Sequence, residues 1–106
     1  MIQFEREART PSSESYTIYE DGGIVGRIDL HFQNGNVYGT LCTTADADEA
    51  RIQELIEAID ERLVMTAEPY REDFVVTVWR GSPAGVYSDA DFEDDEEDED
   101  DDFRLN

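Results

Sequence analysis

The dipeptide Asn34-Gly35 lies between two runs of alternating apolar and polar residues, and it constrains the fold of this chain more than any other feature. Asn and Gly readily adopt the positive φ angles that both central positions of a type I′ hairpin turn require. Such a turn fixes the register of the two strands that it joins. In that register, the apolar residues of both strands share one face of the sheet. The opposed pairs are Phe32 with Val37, Leu30 with Gly39 and Ile28 with Leu41.

Asp21-Gly22-Gly23 marks the turn that precedes this hairpin. A two-residue loop at this turn would place Ile18 on the polar face of the sheet. A three-residue loop with a glycine bulge instead places Tyr16 and Ile18 on the apolar face, and we predict this second geometry. Residues 15–43 are therefore predicted to form three antiparallel strands.

The alternation of the middle strand assigns its first residues to opposite faces. Ile24 is predicted on the apolar face and Val25 on the other face. Upstream of the three strands, residues 1–6 alternate weakly and are compatible with a short strand. Residues 7–14 are predicted to form a loop, because this segment contains proline and serine and lacks a regular apolar pattern.

One amphipathic helix is predicted over residues 46–65. Its apolar residues recur at steps of three and four, and they are Ile52, Leu55, Ile56, Ile59 and Leu63. Asp46 and Glu49 have the spacing of a capping box. Pro69 lies beyond the last helical residue, where it stops the helix.

Residues 73–80 are predicted to form a last strand. The order of the main elements is then β-β-β-α-β. Because one helix covers only one face of a sheet, we predict an α+β fold, a two-layer sandwich in which an antiparallel meander carries one helix on one face. The last strand fits beside the first or the third strand of the meander, since those two run parallel. The predicted core consists of Ile28, Leu30, Phe32, Leu41, Leu55, Ile56, Ile59, Val76 and Val78.

The net charge of −20 is unevenly distributed along the chain. Residues 1–88 carry −9 and residues 89–106 carry −11, and every residue from Glu93 to Asp102 is acidic. Such a run buries no apolar surface and repels itself in any compact form. We therefore predict one small domain at residues 1–88 and a disordered acidic tail at residues 89–106.

The charge also bears on partners and habitat. A domain at −9 repels phosphates, so direct nucleic-acid binding is not expected. The chain has eight arginines and no lysine, and its acidic composition resembles that of proteins from salt-loving organisms, in which carboxylates maintain solubility in concentrated salt. A single cysteine, no apolar run of membrane-spanning length and no secretory signal at the N-terminus favour the cytoplasm and no membrane association.

No catalytic, cofactor or metal site is predicted. Asp46 begins a segment that resembles a calcium-binding loop, but Arg51 occupies the sixth position, where glycine is required. His31 and Cys42 do not form a catalytic pair in the predicted register, because about four residues of strand, or about 13 Å, separate them. Asp29 shares a face with His31 and could orient it, yet no nucleophile motif accompanies the pair.

The sheet face away from the helix is the candidate interface, because Trp, Tyr and Arg are typical of binding surfaces. Its candidate residues are Tyr19, Arg27, Asp29, His31, Tyr38 and Trp79. Alternatively, residues 81–92 or the N-terminal strand cover this face, with Val86 and Tyr87 over Trp79.

Three functional hypotheses follow. The first is a non-catalytic protein-interaction module, in its simplest form a homodimer pairing through the open sheet face. The second is an acidic nucleic-acid mimic, or a tail-regulated protein, that binds a basic partner. The third is a small enzyme using Arg27, Asp29 and His31, which the lack of a catalytic motif makes the weakest of the three.

Overall fold

The computed structural model describes residues 1–90 of the chain. It contains five strands, a helical segment and the loops that join them. The strands are β1 Ile2–Thr10, β2 Ser13–Glu20, β3 Gly23–Gln33, β4 Asn36–Thr43 and β5 Asp73–Arg80. They lie in chain order across one sheet, where β1 to β4 form an antiparallel meander and β5 runs parallel to β4. The α+β prediction is confirmed, and β5 takes the position beside the third strand of the predicted meander.

The predicted loop at residues 7–14 was wrong, and the sheet contains one more long strand than the predicted main elements. Strand β1 continues to Thr10, and β2 begins at Ser13 after a turn at Pro11 and Ser12. The register shifts between Arg6 and Ala8, so Glu7 forms a bulge in β1. An exposed edge strand with a bulge has no regular apolar alternation, which explains why the sequence pattern did not reveal it.

The hairpin at Asn34-Gly35 is confirmed. The two residues have φ angles of 51° and 87°, and the three predicted apolar pairs are directly opposed. The close packing at Gly39 shows why this position lacks a side chain. A Cβ atom there would lie 3.2 Å from Phe74 Cε1 and 3.3 Å from Ile28 Cδ1.

The turn between β2 and β3 has two residues, not the three that were predicted. Glu20 pairs with Gly23, so Asp21 and Gly22 alone form the turn, with φ angles of 54° and 82°. The predicted placement of Tyr16 and Ile18 on the apolar face is nevertheless confirmed, because both side chains are buried.

A bulge inside β3 reconciles the short turn with that placement. Tyr19 pairs with Ile24, whereas Ile18 pairs with Gly26, which leaves Val25 as the extra residue. The bulge reverses the alternation of the first residues of β3. The predicted faces of Ile24 and Val25 were therefore wrong: Ile24 is 60% exposed, whereas Val25 packs against the core.

The helical segment spans residues 49–67, compared with the predicted 46–65. It comprises helix α1 at Glu49–Ile59, a π-helical turn at Asp60–Val64 and a last turn, α2, at Met65–Ala67. The predicted capping box at Asp46 was wrong. The carboxylate of Asp48 caps the helix and accepts a hydrogen bond from the Arg51 N–H at 2.8 Å. Asp46 instead accepts a hydrogen bond from the Thr44 hydroxyl at 2.6 Å, which lowers the pKa of the Asp46 carboxyl.

The core lies between this helical segment and the apolar face of the sheet. All nine predicted core residues belong to one cluster. Ile28, Leu30, Leu41, Leu55 and Ile59 are fully buried, and the other four are partly buried against them. The cluster also contains Val64, which is fully buried, and Leu63, predicted on the apolar side of the helix, is partly buried against it. Within residues 1–90, no helix is long and apolar enough to cross a membrane. The predicted acidic tail lies, from residue 91 onward, outside the described residues.

Candidate functional site

The face of the sheet opposite the helix contains a group of neighbouring residues without any charged side chain. This uncharged patch consists of Tyr38, Thr40, Cys42, Val75, Thr77 and Trp79. The residues come from alternate positions of β4 and β5, so their side chains point to the same side of the sheet. They pair across the two strands, Tyr38 with Val75, Thr40 with Thr77 and Cys42 with Trp79.

Large apolar side chains of the uncharged patch are exposed to solvent. Trp79 is 63% exposed, Val75 is 45% exposed and Tyr38 is 42% exposed. Single exposed apolar residues are common on protein surfaces, but neighbouring ones typically mark a binding surface. An exposed cluster without charged side chains is the more unusual in this chain because the chain as a whole carries a net charge of −20.

The neighbouring part of the same face, on β2 and β3, is polar and ion-paired. Asp29 accepts a hydrogen bond from the Ser15 hydroxyl at 2.6 Å and forms an ion pair with Arg27 at 3.5 Å. Toward the sheet edge, Glu7 accepts a hydrogen bond from the Thr17 hydroxyl at 3.0 Å. The open face is therefore divided into a charged half and the uncharged patch.

The structure brings five of the six predicted interface residues together. Arg27, Asp29 and His31 occupy successive outward positions of β3. Tyr38 pairs with His31, and Trp79 lies beside Cys42, which in turn pairs with Arg27. The predicted separation of His31 from Cys42 is confirmed by this register.

Tyr19 lies away from the other five. It pairs with Gln3 of β1 and with Ile24 of β3, next to the turn that joins β2 to β3. A hydrogen bond with Glu5 raises the pKa of the Tyr19 hydroxyl, which the charges of Glu5 and Glu7 also favour. Tyr19 therefore belongs to the charged half of the face, together with the exposed Ile24.

The alternative in which the chain covers its own open face was wrong for the residues that the structure describes. Val86 is 94% exposed and Tyr87 is 71% exposed, while Trp79 keeps 63% of its surface. The N-terminal strand pairs with β2 at the other side of the sheet. Within residues 1–90, no segment thus covers the uncharged patch.

Asp29 is the acidic residue among the predicted interface residues, and its side chain is held in polar contacts. The Asp29 carboxylate is held by Arg27 and Ser15, which fixes it in a polar contact within the sheet surface. Across residues 1–90, no group of three or more His, Cys, Asp or Glu side chains could hold a metal ion.

Two properties of this surface were not evident from the sequence. The first is that β5 forms an edge of the sheet within residues 1–90, since the sequence left open whether this strand lies beside the first or the third strand of the meander. The second is the exposure of Ile24, which depends on the bulge at Val25. The sequence did contain a signal for this bulge. The run Asp21-Gly22-Gly23 allows both a two-residue turn and a bulge close to it.

Comparison with known proteins gives a weak structural similarity only. No protein-family model and no curated protein sequence matches the chain. Among solved structures, the chain is similar to one described as the ribosomal-protein-alanine N-acetyltransferase from Brucella melitensis biovar Abortus 2308. That match has a TM-score of 0.44 and 15% sequence identity, and it covers 76% of this chain and 72% of the other. A likeness of this size carries no argument about function.

Proposed function

We propose that this chain is a non-catalytic protein-interaction module that binds a protein partner through the uncharged patch. The observation that carries the proposal is the exposure of Trp79, Val75 and Tyr38 on adjacent positions of one rigid sheet face. Trp and Tyr contribute large, rigid contact areas and are typical of the residues that dominate binding energy. Depletion of charge at the centre of a contact is also typical of protein interfaces.

The ion-paired strip on β3 fits the border of such an interface. Arg27 and Asp29 neutralise each other at 3.5 Å, so a partner that covers the uncharged patch meets no unpaired charge at this border. His31 adds a hydrogen-bonding group next to Tyr38. A polar border around an apolar centre is the usual anatomy of an interface.

The proposed environment is the cytoplasm of a cell with a salt-rich interior. The exposed free thiol of Cys42 supports a reducing compartment. The excess of acid over base, at 28 acidic residues against eight arginines, supports a high-salt environment, in which screening weakens the repulsion among the carboxylates.

Photo-crosslinking in extracts of the source organism tests the proposed function. A benzoylphenylalanine at position 38 of the full chain places the reactive group on the uncharged patch and leaves Trp79 intact. The matched control carries the same group at Tyr70, another tyrosine, which is 91% exposed but lies outside the patch. Mass spectrometry then identifies each adduct.

The expected result is one defined adduct at position 38, either with a single protein species or with another copy of this chain. The adduct should be absent at position 70 and lost in the Trp79→Ser variant. Equal adducts at both positions, or none at position 38, would show that the uncharged patch does not bind a protein partner.

A further inference from the structure

The two edges of the sheet differ in how they are protected against pairing with another strand. Strand β1 has charged residues through its middle, namely Glu5, Arg6, Glu7 and Arg9, and a bulge at Glu7. Charges and bulges are the usual devices that keep an edge strand from pairing. Within residues 1–90, no strand pairs with the outer edge of β5.

Strand β5 lacks these devices. None of its six central residues, Phe74 to Trp79, is charged or a proline. The four residues between these two aromatic residues are all Val or Thr. Its register with β4 is continuous from the first pair to the last, so it contains no bulge. An unprotected edge with high strand propensity is a template for another strand.

The backbone of β5 indicates which groups are available for pairing. Gly81 donates its N–H to the Thr43 carbonyl at 2.9 Å, so the N–H of this residue points toward β4. Because successive residues of a strand direct their N–H and C=O groups to opposite sides, the odd-numbered residues of β5 bond to β4. The N–H and C=O groups of Val76 and Val78 therefore point away from β4.

The ends of β5 carry opposite charges. Glu72 and Asp73 lie at its start, and Arg80 lies at its end. When two copies of such a strand pair antiparallel, the acidic start of each lies beside the basic end of the other. This charge distribution makes β5 complementary to itself, even though two chains at −20 repel each other over longer distances.

We infer that a second copy of this chain binds at the β5 edge, and that the β5 strands of the two copies pair antiparallel around a two-fold axis at Thr77. This inference goes beyond the proposed function, because edge pairing sets the uncharged patches of the two copies side by side and leaves their faces uncovered. The two-fold axis is normal to the sheet, so both helices lie on one side and the two uncharged patches on the other. The ten strands then form one continuous sheet.

The register follows from the side chains and the free backbone groups. With the axis at Thr77, Trp79 of each copy faces Val75 of the other, and aromatic residues opposite β-branched ones are favourable cross-strand pairs. Val76 faces Val78 of the other copy, and these residues exchange the hydrogen bonds of the edge. Shifting the axis by one residue to Val76 would place Asp73 opposite Trp79, which is unfavourable.

The mass of the full chain in solution gives the first test. We expect twice the 12.1 kDa of a single chain, with a dimer fraction that rises from about 0.1 M to about 1 M salt because screening weakens repulsion between the copies. Thr77→Lys should give monomers, since two ammonium groups would meet at the axis. Thr77→Glu should also give monomers, and mixing these two variants should restore the dimer.

Thr40→Lys distinguishes edge pairing from a contact through the sheet face, because Thr40 pairs with Thr77 on the same face but lies one strand away from the edge. This variant should remain dimeric. Unchanged cooperative unfolding of each variant shows that a change in mass is not a loss of fold.

Disulfide formation tests the register itself. The Thr77→Cys variant is made in a Cys42→Ser background, so that the introduced thiol is the only one in each copy. In the proposed register the two residues 77 are directly opposed and exchange no backbone hydrogen bonds. Their Cα atoms are then about 4.5 Å apart, which is close enough for a disulfide. We expect a covalent dimer upon oxidation. Thr40→Cys should not cross-link, because three strand spacings of about 4.8 Å separate the two copies of this residue.

The outcomes separate this inference from the proposed function. A monomer at every salt concentration, together with a specific adduct to a different protein at position 38, would overturn the inference and keep the proposed function. A dimer that Thr40→Lys disrupts as strongly as Thr77→Lys would mean that the copies pair face to face, which also overturns the edge pairing. A monomer with no adduct would overturn both.

Discussion

Ile59 and Val64 are both fully buried in the same core, although the step of five residues from one to the other exceeds one α-helical turn. The helix accommodates this spacing by a π-helical turn at Asp60–Val64, where the Met65 N–H donates to the Asp60 carbonyl. A step of five residues returns the chain to the same side in a π-helix, whereas an α-helix returns after three or four. The fully buried position at this turn is therefore Val64, and Leu63 is only partly buried against the core.

Val64→Ala tests this difference in burial. The substitution removes two buried methyl groups and leaves a cavity, so the free energy of unfolding should fall by about 2 kcal/mol. The control is Met65→Ala, because Met65 is 41% exposed and should contribute much less. Denaturant unfolding provides the measurement. A larger loss in Leu63→Ala than in Val64→Ala would contradict the π-helical turn.

Gly26 is expected to be intolerant of any side chain. A Cβ atom at this position would lie 2.5 Å from the Cys42 carbonyl oxygen, and a backbone atom within a sheet moves little. We expect Gly26→Ala to reduce the free energy of unfolding by about 1–3 kcal/mol, as overpacking does in other interiors. Gly81→Ala is the matched control, since nothing lies within 4 Å of its Cβ position. Equal stability of the two variants in urea would refute the close approach.

Tyr16 should make the fold sensitive to alkaline pH. Burial raises the pKa of its hydroxyl, and the hydrogen bond that it donates to Glu14 at 2.6 Å adds to this effect. Because the folded protein keeps this proton to a higher pH than the unfolded chain does, the contribution is complete below about pH 10 and is lost as the pH rises through the pKa of the folded state.

The measurement compares the free energy of unfolding at about pH 9 and about pH 11. The decrease should be smaller in Tyr16→Phe than in the unchanged protein, because the variant has no hydroxyl proton to lose. Tyr70→Phe serves as the control, since this side chain is 91% exposed. An identical alkaline decrease in all three proteins would exclude a role for Tyr16.

Salt should stabilise the fold if the acidic surface is an adaptation to a saline cell. The Debye length falls from about 10 Å at 0.1 M to about 3 Å at 1 M, so repulsion within a chain of −20 should be almost completely screened by about 1 M. A further gain up to about 3 M potassium chloride would require strengthened apolar burial. We expect the melting temperature to rise throughout this series.

The Thr77→Lys variant at low protein concentration is the suitable material for this measurement, because dimerisation would itself raise the melting temperature. A second protein concentration checks that the value is independent of association. A melting temperature that stays constant from dilute buffer to molar salt would rule out the halophilic interpretation of the charge.

The local pattern of the sequence was sufficient to predict the hairpin at Asn34-Gly35, the pairs around it and the core that they form with Leu55. A type I′ turn and a two-residue period are short-range properties, so neighbouring residues determine them. The outward-facing candidates Arg27, Asp29, His31 and Tyr38 followed from the same register and lie together as predicted.

Tertiary structure alone decided the features that depend on distant contacts. The bulge at Val25 exposes Ile24, the π-helical turn buries Val64, and the parallel pairing with β4 makes β5 an edge. In each case the local sequence is compatible with two geometries, and packing against the rest of the sheet or core selects one. The position of Trp79 beside Cys42, on which the proposed interface depends, is therefore a property of the fold rather than of the strand that contains it.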